Sequence, residues 1–408
     1  MWIDSHEHLS DNLAMQLHDD VEPAKRHRTA PRVLIASDKF KGSLTSGEVA
    51  AALTRGLART GITTVERLPV ADGGDGSLEV AIAAGGRRID VTARDVRGHA
   101  RPTSIALLPD GRAVIEVARI CGLGDARPTG ADALAATSAG VGDAIRAALD
   151  LGAGSLVLAV GGTASSDGGA GLVQSLGGRL LDRHGRELEP GAQALLGLAS
   201  VDLTRVDPRL PATRLVVASD VDNPLLGSQG AAAVYGPQKG AGPAEVARID
   251  QALRRWSGLA AAPALAVAPG AGAGGGIGFG ALLLGGRITS GAAYFLDLLR
   301  LDVLLPHADL VITGEGKLDA QSLHGKAPLV VADRARTAGV PVHAVVGRCD
   351  LPDELRRSAG LASVHALSDL DPRCVEDPEL SRRLLAEIGA RLGREAVGGA
   401  ADDGPTLL

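Results

Sequence analysis

The chain has 408 residues with a formal net charge of −6; 45% of its residues are hydrophobic, but only 2% are aromatic. This length predicts two domains, or one domain with a large insertion, with cores built mainly from Ala, Leu, Val and Ile. The acidic balance, and the lack of a basic stripe with interleaved aromatic residues, argue against nucleic acid as the main partner. No stretch reaches the roughly 18 apolar residues of a membrane span. Three scattered cysteines fit a reducing cytoplasm better than a disulfide framework.

The first part of the chain predicts a parallel sheet. Residues 1–30 are charged and lack periodicity, so we expect a flexible extension before the fold begins at Arg32. A buried strand at 33–37 is followed by a capping box from Thr45 to Glu48 and an amphipathic helix. A second strand at 63–70, the loop ADGGDGS and a further helix repeat this β-loop-α order. Such an order places ligand-binding loops at the carboxyl ends of the strands.

The middle of the chain has a different pattern. Three period-two segments separated by tight turns, RRIDVTARDV, RPTSIALLP and RAVIEVA, predict an antiparallel meander. We expect a long helix from Ala131 to Leu151, then strands at 155–160 and 215–219, each leading into a polar loop.

After Ala308 the β-loop-α order returns, with predicted helices near 326–338 and 379–395. The fold class predicted is therefore α/β with two domains. A Rossmann-like or flavodoxin-like parallel-sheet domain is formed by both chain ends, residues 31–90 and 290–396. A mixed α/β domain at 91–289 is inserted between them, and 397–408 are expected to form a flexible tail.

Lysine is rare in this chain and is concentrated in glycine-rich loops. Of the 42 Lys and Arg residues only six are Lys, and five of these lie in such loops: Lys39, Lys41, Lys239, Lys317 and Lys326. Since most positively charged residues of this chain are arginine, the few lysines indicate positions that need a compact ammonium group. Lysines and backbone N–H groups that converge in loops favour phosphates and carboxylates. The pattern predicts a site for an anionic, phosphorylated ligand.

Two loops near the N-terminus carry further candidate groups. In SDKFKGS, Asp38 could bind magnesium or a hydroxyl group, and Ser43 could add a hydrogen bond to a ligand. In ADGGDGS, Asp72 precedes Gly73 and Gly74, which permit unusual backbone angles and a close approach to a ligand.

Later loops offer more functional groups. GGTASSDGGAG (161–171) follows a strand and opens a helix, so Thr163, Ser165 and Ser166 suit a phosphate at a helix N-terminus, and Asp167 could orient a metal or accept a proton. SDVDNPLLG contributes Asp220. The densest loop, TGEGKLDAQSLHGKAP (313–328), contains further candidates beside its two lysines: Glu315, Asp319, Ser322 and His324.

The glycine-rich segment GAGAGG (270–275) leaves two interpretations open. With Asp297 about twenty residues on, it formally matches a dinucleotide-binding fingerprint, which would indicate an NAD(P)-dependent oxidoreductase acting on a small hydroxy acid. A glycine-rich helix start that packs closely on a neighbour is the favoured interpretation, because a Gly/Ala segment matches easily and no βαβ unit frames it. GxxxxGK[ST] and the protein-kinase motifs are both lacking, so a phosphoryl-transfer enzyme here would belong to neither common class.

These loops, in this order, resemble the type-1 glycerate kinase family of bacteria. The matching stretches are IASDKFKGSLTSGEVAAAL, VADGGDGS, GGTASSDGGAGLVQSLGG, SDVDNPLLGSQGAAAVYGPQKGA, PGAGAGGGIGFG and ADLVITGEGKLDAQSLHGKAP, and they span residues 32 to about 395. Asp75 and Ser77 stand where the family often has Glu and Thr, and each keeps the chemical type. The extension before Arg32 is not part of the pattern.

The resemblance implies an ATP-dependent, magnesium-requiring kinase of D-glycerate, with the site in the cleft between two α/β domains and 2-phosphoglycerate as the usual product. It leaves a homo-oligomer open. Under this hypothesis Asp220 and Glu315 hold Mg²⁺, while lysines such as Lys317 neutralise phosphate and carboxylate charge. Asp319 is preferred over Asp167 as the group that accepts the hydroxyl proton. A non-catalytic sensor of a hydroxy acid stays open as an alternative, and it predicts binding without ATP consumption.

Overall fold

The computed structural model describes residues 30–40, 42–124 and 127–402. Lys41, most of the predicted extension (residues 1–29) and the end of the predicted tail (403–408) lie outside the described residues, as do the side chains of Gln321, His324 and residues 399–402. None of the described helices is long and apolar enough to cross a membrane.

The described strands, in chain order, are β1 (Val33–Ser37), β2 (Val65–Pro69), β3 (Arg87–Arg94), β4 (Ala100–Leu107), β5 (Arg112–Glu116), β6 (Ser155–Ala159), β7 (Arg179–Leu181), β8 (Ser200–Asp202), β9 (Arg214–Ala218), β10 (Arg287–Thr289), β11 (Leu310–Gly314), β12 (Lys317–Leu318), β13 (Val342–Val346), β14 (Arg348–Cys349) and β15 (Ser363–Ala366). The helices are α1 (Ser46–Ala58), α2 (Ser77–Ala83), α3 (Ala118–Cys121), α4 (Gly130–Ala135), α5 (Ala139–Asp150), α6 (Ala170–Ser175), α7 (Ala231–Tyr235), α8 (Pro243–Leu259), α9 (Pro263–Ala266), α10 (Ala273–Leu283), α11 (Gly291–Leu298), α12 (Leu301–Leu304), α13 (Ala327–Thr337), α14 (Asp353–Ser358), α15 (Leu367–Leu370) and α16 (Pro378–Asp402).

The first sheet is built from both chain ends and is entirely parallel, as predicted. Its strand order is β15-β13-β11-β1-β2, which is 2-1-3-4-5 when its own five strands are numbered along the chain. That is the flavodoxin-like order, with its topological switch point between β1 and β11. All five residues of β1 are buried. Val33 and Ile35 pack toward α1 and α16, whereas Leu34 and Ala36 pack toward α13.

The second sheet comes from the middle of the chain and is mixed. Its order is β10-β9-β6-β5-β4-β3. The predicted meander is confirmed, since β3, β4 and β5 pair antiparallel, while β5, β6, β9 and β10 run parallel to one another. Its central parallel strands β5, β6 and β9 are buried on both faces, as parallel strands require, whereas β3 and the start of β4 are largely exposed.

One continuous apolar layer joins the two sheets. It contains Leu34 of β1, Val114 of β5 and Ala218 of β9, with Phe295 of α11 packed among them. Because this core crosses between the segments, the domain boundaries near 90 and 290 stay a prediction. The α/β class and the two-sheet arrangement are established.

Two of the predicted helices have other bounds. The helix expected from Ala131 to Leu151 is two helices, α4 and α5. The chain turns out of the helix at Ala136 (ψ 133°), and Ser138 then starts α5 with its N–H and hydroxyl donated to Asp167. The final helix continues to Asp402, so the first residues of the predicted tail are helical.

Candidate active site

The carboxyl ends of both sheets open onto one cleft with two adjoining cavities. The larger cavity, about 750 Å³, lies against the loops that follow β6 and β9. The smaller cavity, about 660 Å³, lies against the loops that follow β1, β11 and β13, at the switch point of the first sheet. Five residues line both cavities: Asp72, Gly74, Gly161, Gly162 and Lys326. The two spaces therefore meet.

The junction is formed by two glycine-rich loops in backbone contact. Gly161 N–H donates to the carbonyl oxygen of Gly73 at 2.9 Å. Gly73 has φ +88°, and a Cβ there would lie 2.3 Å from the carbonyl oxygen of Ala218. A side chain at Gly161 would similarly meet Gly74, at 2.7 Å. These positions need glycine because any side chain would push the two sheets apart at the point where the cavities meet.

Carboxylates gather at the switch point. Asp38 follows β1 and lines the smaller cavity, with 13% of its side chain exposed. Its Oδ1 accepts from the N–H of Lys39 at 2.7 Å. Burial raises the pKa of Asp38 to about 7; the nearby Lys39 opposes this rise, and the charges of Asp72 and Glu315 add to it. Asp38 thus changes protonation near neutral pH.

Two polar groups on the smaller cavity are buried without a hydrogen-bond partner among the described residues. They are Oε1 of Glu315 and the hydroxyl of Ser43. The other carboxylate oxygen of Glu315 lies 3.7 Å from the ammonium of Lys326. Burial raises the pKa of Glu315, while Ser322 and Lys326 act in the opposite direction. Buried polar atoms normally have a partner, so these two indicate a site for a ligand or an ion.

Lys239 supplies a buried cation to the larger cavity. Its side chain is almost entirely buried and its ammonium donates to the carbonyl oxygen of Ser165 at 2.5 Å. Burial lowers its pKa to about 8, an effect that Cys121 and Asp167 oppose. On the other side of the junction, the ammonium of Lys39 donates to the carbonyl oxygen of Asp75 at 2.7 Å and lines the smaller cavity.

Asp220 lines the larger cavity, but its carboxylate already has partners. It accepts from the hydroxyl of Ser290 and the N–H of Gly291, both at 2.8 Å, and from the N–H of Ala292 at 3.1 Å. Asp220 therefore caps α11, and burial raises its pKa to about 6. The predicted metal pair of Asp220 and Glu315 lies on different cavities. In the described part of the chain, no group of three or more His, Cys, Asp or Glu side chains is arranged to hold a metal.

The structure corrects the expectation for Asp167. It is fully buried, lines neither cavity, and accepts from the backbone N–H groups of Ser138, Gly169 and Gly171 at 2.8, 3.1 and 3.2 Å. Its own carboxylate thus occupies the start of α6, where a ligand phosphate was expected. In this position its carboxylate does not face either cavity.

Of the neighbouring hydroxyl-bearing residues, one lines a cavity and two are buried away from both cavities. Thr163 lines the larger cavity, and its hydroxyl contacts the carbonyl oxygen of Cys121 and the hydroxyl of Ser165 at 3.3 and 3.2 Å. Ser165 and Ser166 are fully buried and line neither cavity, and the hydroxyl of Ser166 has no partner among the described residues. The loop therefore reaches the cleft through Gly161 to Thr163 only.

The densest predicted loop is also divided. Lys317 lines the smaller cavity with half of its side chain exposed and forms ion pairs with Asp319 and Asp350, each at 3.1 Å. Asp319 lines neither cavity. Ser322 is buried beneath the loop, where its hydroxyl accepts from the N–H of Asp319. Lys326 reaches both cavities, and the side chain of His324 lies outside the described residues.

Several residues on the cavities were not among the candidates, and Arg348 and Tyr235 are two of them. Arg348 follows β13 and lines the smaller cavity; its place at the carboxyl edge of a parallel strand was the available signal. Tyr235 lines the larger cavity, and its hydroxyl donates to Oδ1 of Asn223 at 2.6 Å. The sequence contains a weaker indication for Tyr235: it is one of only two tyrosines in the chain and lies next to the loop that carries Lys239.

The glycine-rich segment at 270–275 is a helix start and not a dinucleotide loop. It follows α9 rather than a strand, so no βαβ unit frames it. The first turn of α10 includes Gly274, Gly275 and Gly276 at positive φ, and further along this helix a Cβ at Gly280 would lie 2.9 Å from Cα of Gly169. Close packing on a neighbour is confirmed, and the fingerprint interpretation is wrong.

Comparisons with known proteins establish the family. The model of the glycerate kinase family matches residues 33–396. A glycerate kinase of Bacillus subtilis is 41% identical over 324 residues, covering 78% of this chain and 85% of the relative. A glycerate 2-kinase of Escherichia coli K12 is 38% identical, with the same shares covered. The crystal structure of a candidate glycerate kinase 2 from Salmonella typhimurium LT2 superposes with a TM-score of 0.76 at 36% identity, covering 91% of this chain and all of that one. The chain belongs to the glycerate kinase family.

Proposed function

We propose that the protein transfers a phosphoryl group from ATP to the 2-hydroxyl of D-glycerate, giving 2-phosphoglycerate and ADP. The observation that carries the proposal is the meeting of two cavities, each with charged side chains in its lining, at Lys326 and the Asp72–Gly74 loop in a member of the glycerate kinase family. Two adjoining spaces suit two substrates whose reacting groups must come into line. The name of the Escherichia coli relative, glycerate 2-kinase, supports the 2-hydroxyl as acceptor.

We assign the nucleotide to the larger cavity. Its volume lies in the range of small-molecule sites, and it combines apolar side chains with the ring of Tyr235, which suits a nucleobase. The buried ammonium of Lys239 offers a compact positive charge for phosphate oxygens in a site shielded from water. Lys326, at the junction, is the cation that a transferred phosphoryl group would meet from either side.

We assign glycerate to the smaller cavity. Lys39 and Arg348 can pair with its carboxylate, since charge-assisted bonds to carboxylates are the strongest that side chains offer. The hydroxyl of Ser43 has no partner among the residues that the structure describes, and we assign it to a substrate hydroxyl or carboxylate oxygen. Lys317, held by two carboxylates at the rim, adds positive charge at the entrance.

Magnesium fits the carboxylates at the switch point. Oε1 of Glu315, which has no partner within the described part of the chain, is a hard oxygen donor, and Asp72 lies close enough to affect the pKa of Glu315. Magnesium in kinases needs only one or two carboxylates beside substrate phosphates, so a larger cluster is not required. When bound, the ion would neutralise phosphate charge. Asp220 remains a candidate through the unused lone pairs of its Oδ2, although its main contacts are with α11.

We assign the hydroxyl proton to Asp38. A proton acceptor should be accessible to the substrate and should titrate near the working pH. Asp38 lines the cavity and has its pKa raised to about 7 by burial, whereas Asp167 and Asp319 line neither cavity. In this scheme the 2-hydroxyl loses its proton to Asp38, its oxygen bonds to the γ-phosphorus, and ADP leaves.

The test is ADP release from ATP and Mg²⁺ on addition of D-glycerate, with the product's phosphate position read by phosphorus NMR. Glycerate-dependent ADP release with 2-phosphoglycerate as product would support the proposal, and 3-phosphoglycerate would correct the acceptor oxygen. Glycerate binding without ADP release would favour the sensor alternative. Glu315→Gln tests the magnesium assignment: we expect the Mg²⁺ concentration at half-maximal rate to rise while ATP alone still binds.

A further inference from the structure

A carboxylate and an ammonium are both buried beside the larger cavity, and only the ammonium reaches the cavity. Lys239 lines it, while Asp167 lies behind the wall without access to it. The two groups form no direct ion pair within the described part of the chain; Lys239 donates instead to the carbonyl oxygen of Ser165, two residues before Asp167. The loop from Ser165 to Asp167 therefore separates cation and anion.

The surroundings hold both groups in fixed places. Asp167 accepts three backbone N–H groups and the hydroxyl of Ser138, the latter at 3.0 Å. Around Lys239, a Cβ at Gly275 would lie 2.7 Å from the ammonium nitrogen and 1.9 Å from the carbonyl oxygen of Ser165. Neither group can move far without displacing backbone.

Burial disfavours a charged ammonium, and few groups compensate it. The titratable groups that act on Lys239 are Asp167, from the loop before α6, and Cys121, from the end of α3. Burial raises the pKa of Cys121 to about 11, so this thiol is uncharged at neutral pH. Burial also raises the pKa of Asp167, while the hydrogen bonds from Ser138, Gly169 and Gly171 act in the opposite direction because they stabilise the carboxylate form. With these donors Asp167 supplies the compensating charge, and its attraction acts through a low-dielectric interior where Coulomb interactions are strong.

We infer that Asp167 is a positioning residue that keeps Lys239 charged and in place as the phosphate-binding cation of the larger cavity. The inference rests on the proposed function, because it takes that cavity as the ATP site. It gives a fully buried carboxylate a role in the reaction without contact with either substrate.

The experiment is calorimetric titration with ATP, without glycerate and at constant Mg²⁺, between pH 7 and 9. In the wild-type chain, affinity should fall above pH about 8 as Lys239 loses its proton. If Asp167→Asn lowers the pKa of Lys239 by about one unit, ATP binding should weaken roughly twofold at pH 7, fivefold at pH 8 and nearly tenfold at pH 9. Lys239→Met should bind weakly, with no fall in this range.

Ser138→Ala is the structural control, since it removes one hydroxyl donor to Asp167 but keeps the carboxylate and the three backbone N–H groups that stabilise its charge. We expect its pH profile of ATP binding to match that of the wild type even if its thermal stability falls. An unchanged profile in folded Asp167→Asn, or the same shift in Ser138→Ala, would overturn the inference.

If Asp167→Asn does not fold, the double variant Asp167→Asn/Lys239→Met tests whether the uncompensated charge of Lys239 is the cause. A folded double variant supports the inference, because removing the lysine relieves an uncompensated buried cation. If neither variant folds, Asp167 is required for structure alone and the inference fails. If the wild-type chain does not bind ATP, the proposed function fails and the inference fails with it. If the wild-type chain binds ATP but the pH profile of Asp167→Asn is unchanged, the inference alone fails.

Discussion

Substituting Gly275 by alanine should damage stability and nucleotide binding together. Gly275 has φ +67°, and a Cβ there would lie 1.9 Å from the carbonyl oxygen of Ser165. The left-handed conformation costs a non-glycine residue about 1–2 kcal/mol, and overpacking of a dense interior typically costs about 1–3 kcal/mol more. We therefore expect Gly275→Ala to lower the free energy of unfolding by about 2–5 kcal/mol.

The same Cβ would lie 2.7 Å from the ammonium of Lys239, so the lysine must also shift. A charge-assisted hydrogen bond contributes about 1.5–3 kcal/mol, and losing one to a phosphate would raise the Kd for ATP roughly 10- to 100-fold. Unfolding in urea and calorimetric titration with ATP measure the two effects.

Gly152→Ala is the matched control. Gly152 has φ +81° with no atom within 4 Å of the Cβ position, and it follows α5, away from both cavities. It should cost about 1–2 kcal/mol from the backbone alone and leave the Kd for ATP unchanged. Equal destabilisation by the two substitutions, with unchanged ATP binding in both, would refute the reasoning about the contact between Gly275 and Lys239.

Three further predictions concern single ionisable groups. Asp38 must be unprotonated to accept a proton and its pKa is about 7, so kcat/KM should rise with pH up to about 7 and then level off. Asp38→Asn should lower turnover by about 10²-fold or more. A flat pH profile of the wild-type kcat/KM from acid to neutral pH would contradict the assignment. Asp319→Asn should lower turnover less than about tenfold, since its carboxylate pairs with Lys317; a loss of about 10²-fold in steady-state assays would restore it as proton acceptor. Burial lowers the pKa of His365 to about 4, so the unfolded chain binds a proton at this ring more readily than the folded chain does. The folding stability that neutral His365 contributes is fully present above pH about 6.5 and is lost as the pH falls from about 6.5 through 4. With solvent screening of this half-buried ring, the loss should be about 1 kcal/mol; urea midpoints at pH 7 and 5 should differ less in His365→Gln than in the wild type, and equal differences would argue against the ring as the cause.

Local pattern in the sequence was enough to predict most strands and the loops that carry chemistry. The capping box at the start of α1 is formed as predicted, with the N–H of Thr45 donating to the carboxylate of Glu48 at 2.9 Å. The glycine-rich loops after β1, β6 and β11 could be predicted because the periodicity of a strand and the residue preferences of a turn depend on neighbouring residues in the sequence. The same patterns led to the parallel sheet and, through their resemblance to a known family, to glycerate kinase.

Only the tertiary structure decided which predicted groups face the cleft. β1 and β11 are neighbours although their paired residues Val33 and Leu310 lie far apart in the chain, and this pairing brings Asp38 beside Glu315. Asp167 and Asp220, which read alike as acidic residues after a strand, differ because their hydrogen-bond donors come from distant segments. The start of α5 helps to bury Asp167, and the start of α11 engages Asp220 while leaving it on the cavity. Burial and partnership depend on long-range packing, and a single sequence records residue types but not the neighbours that packing supplies.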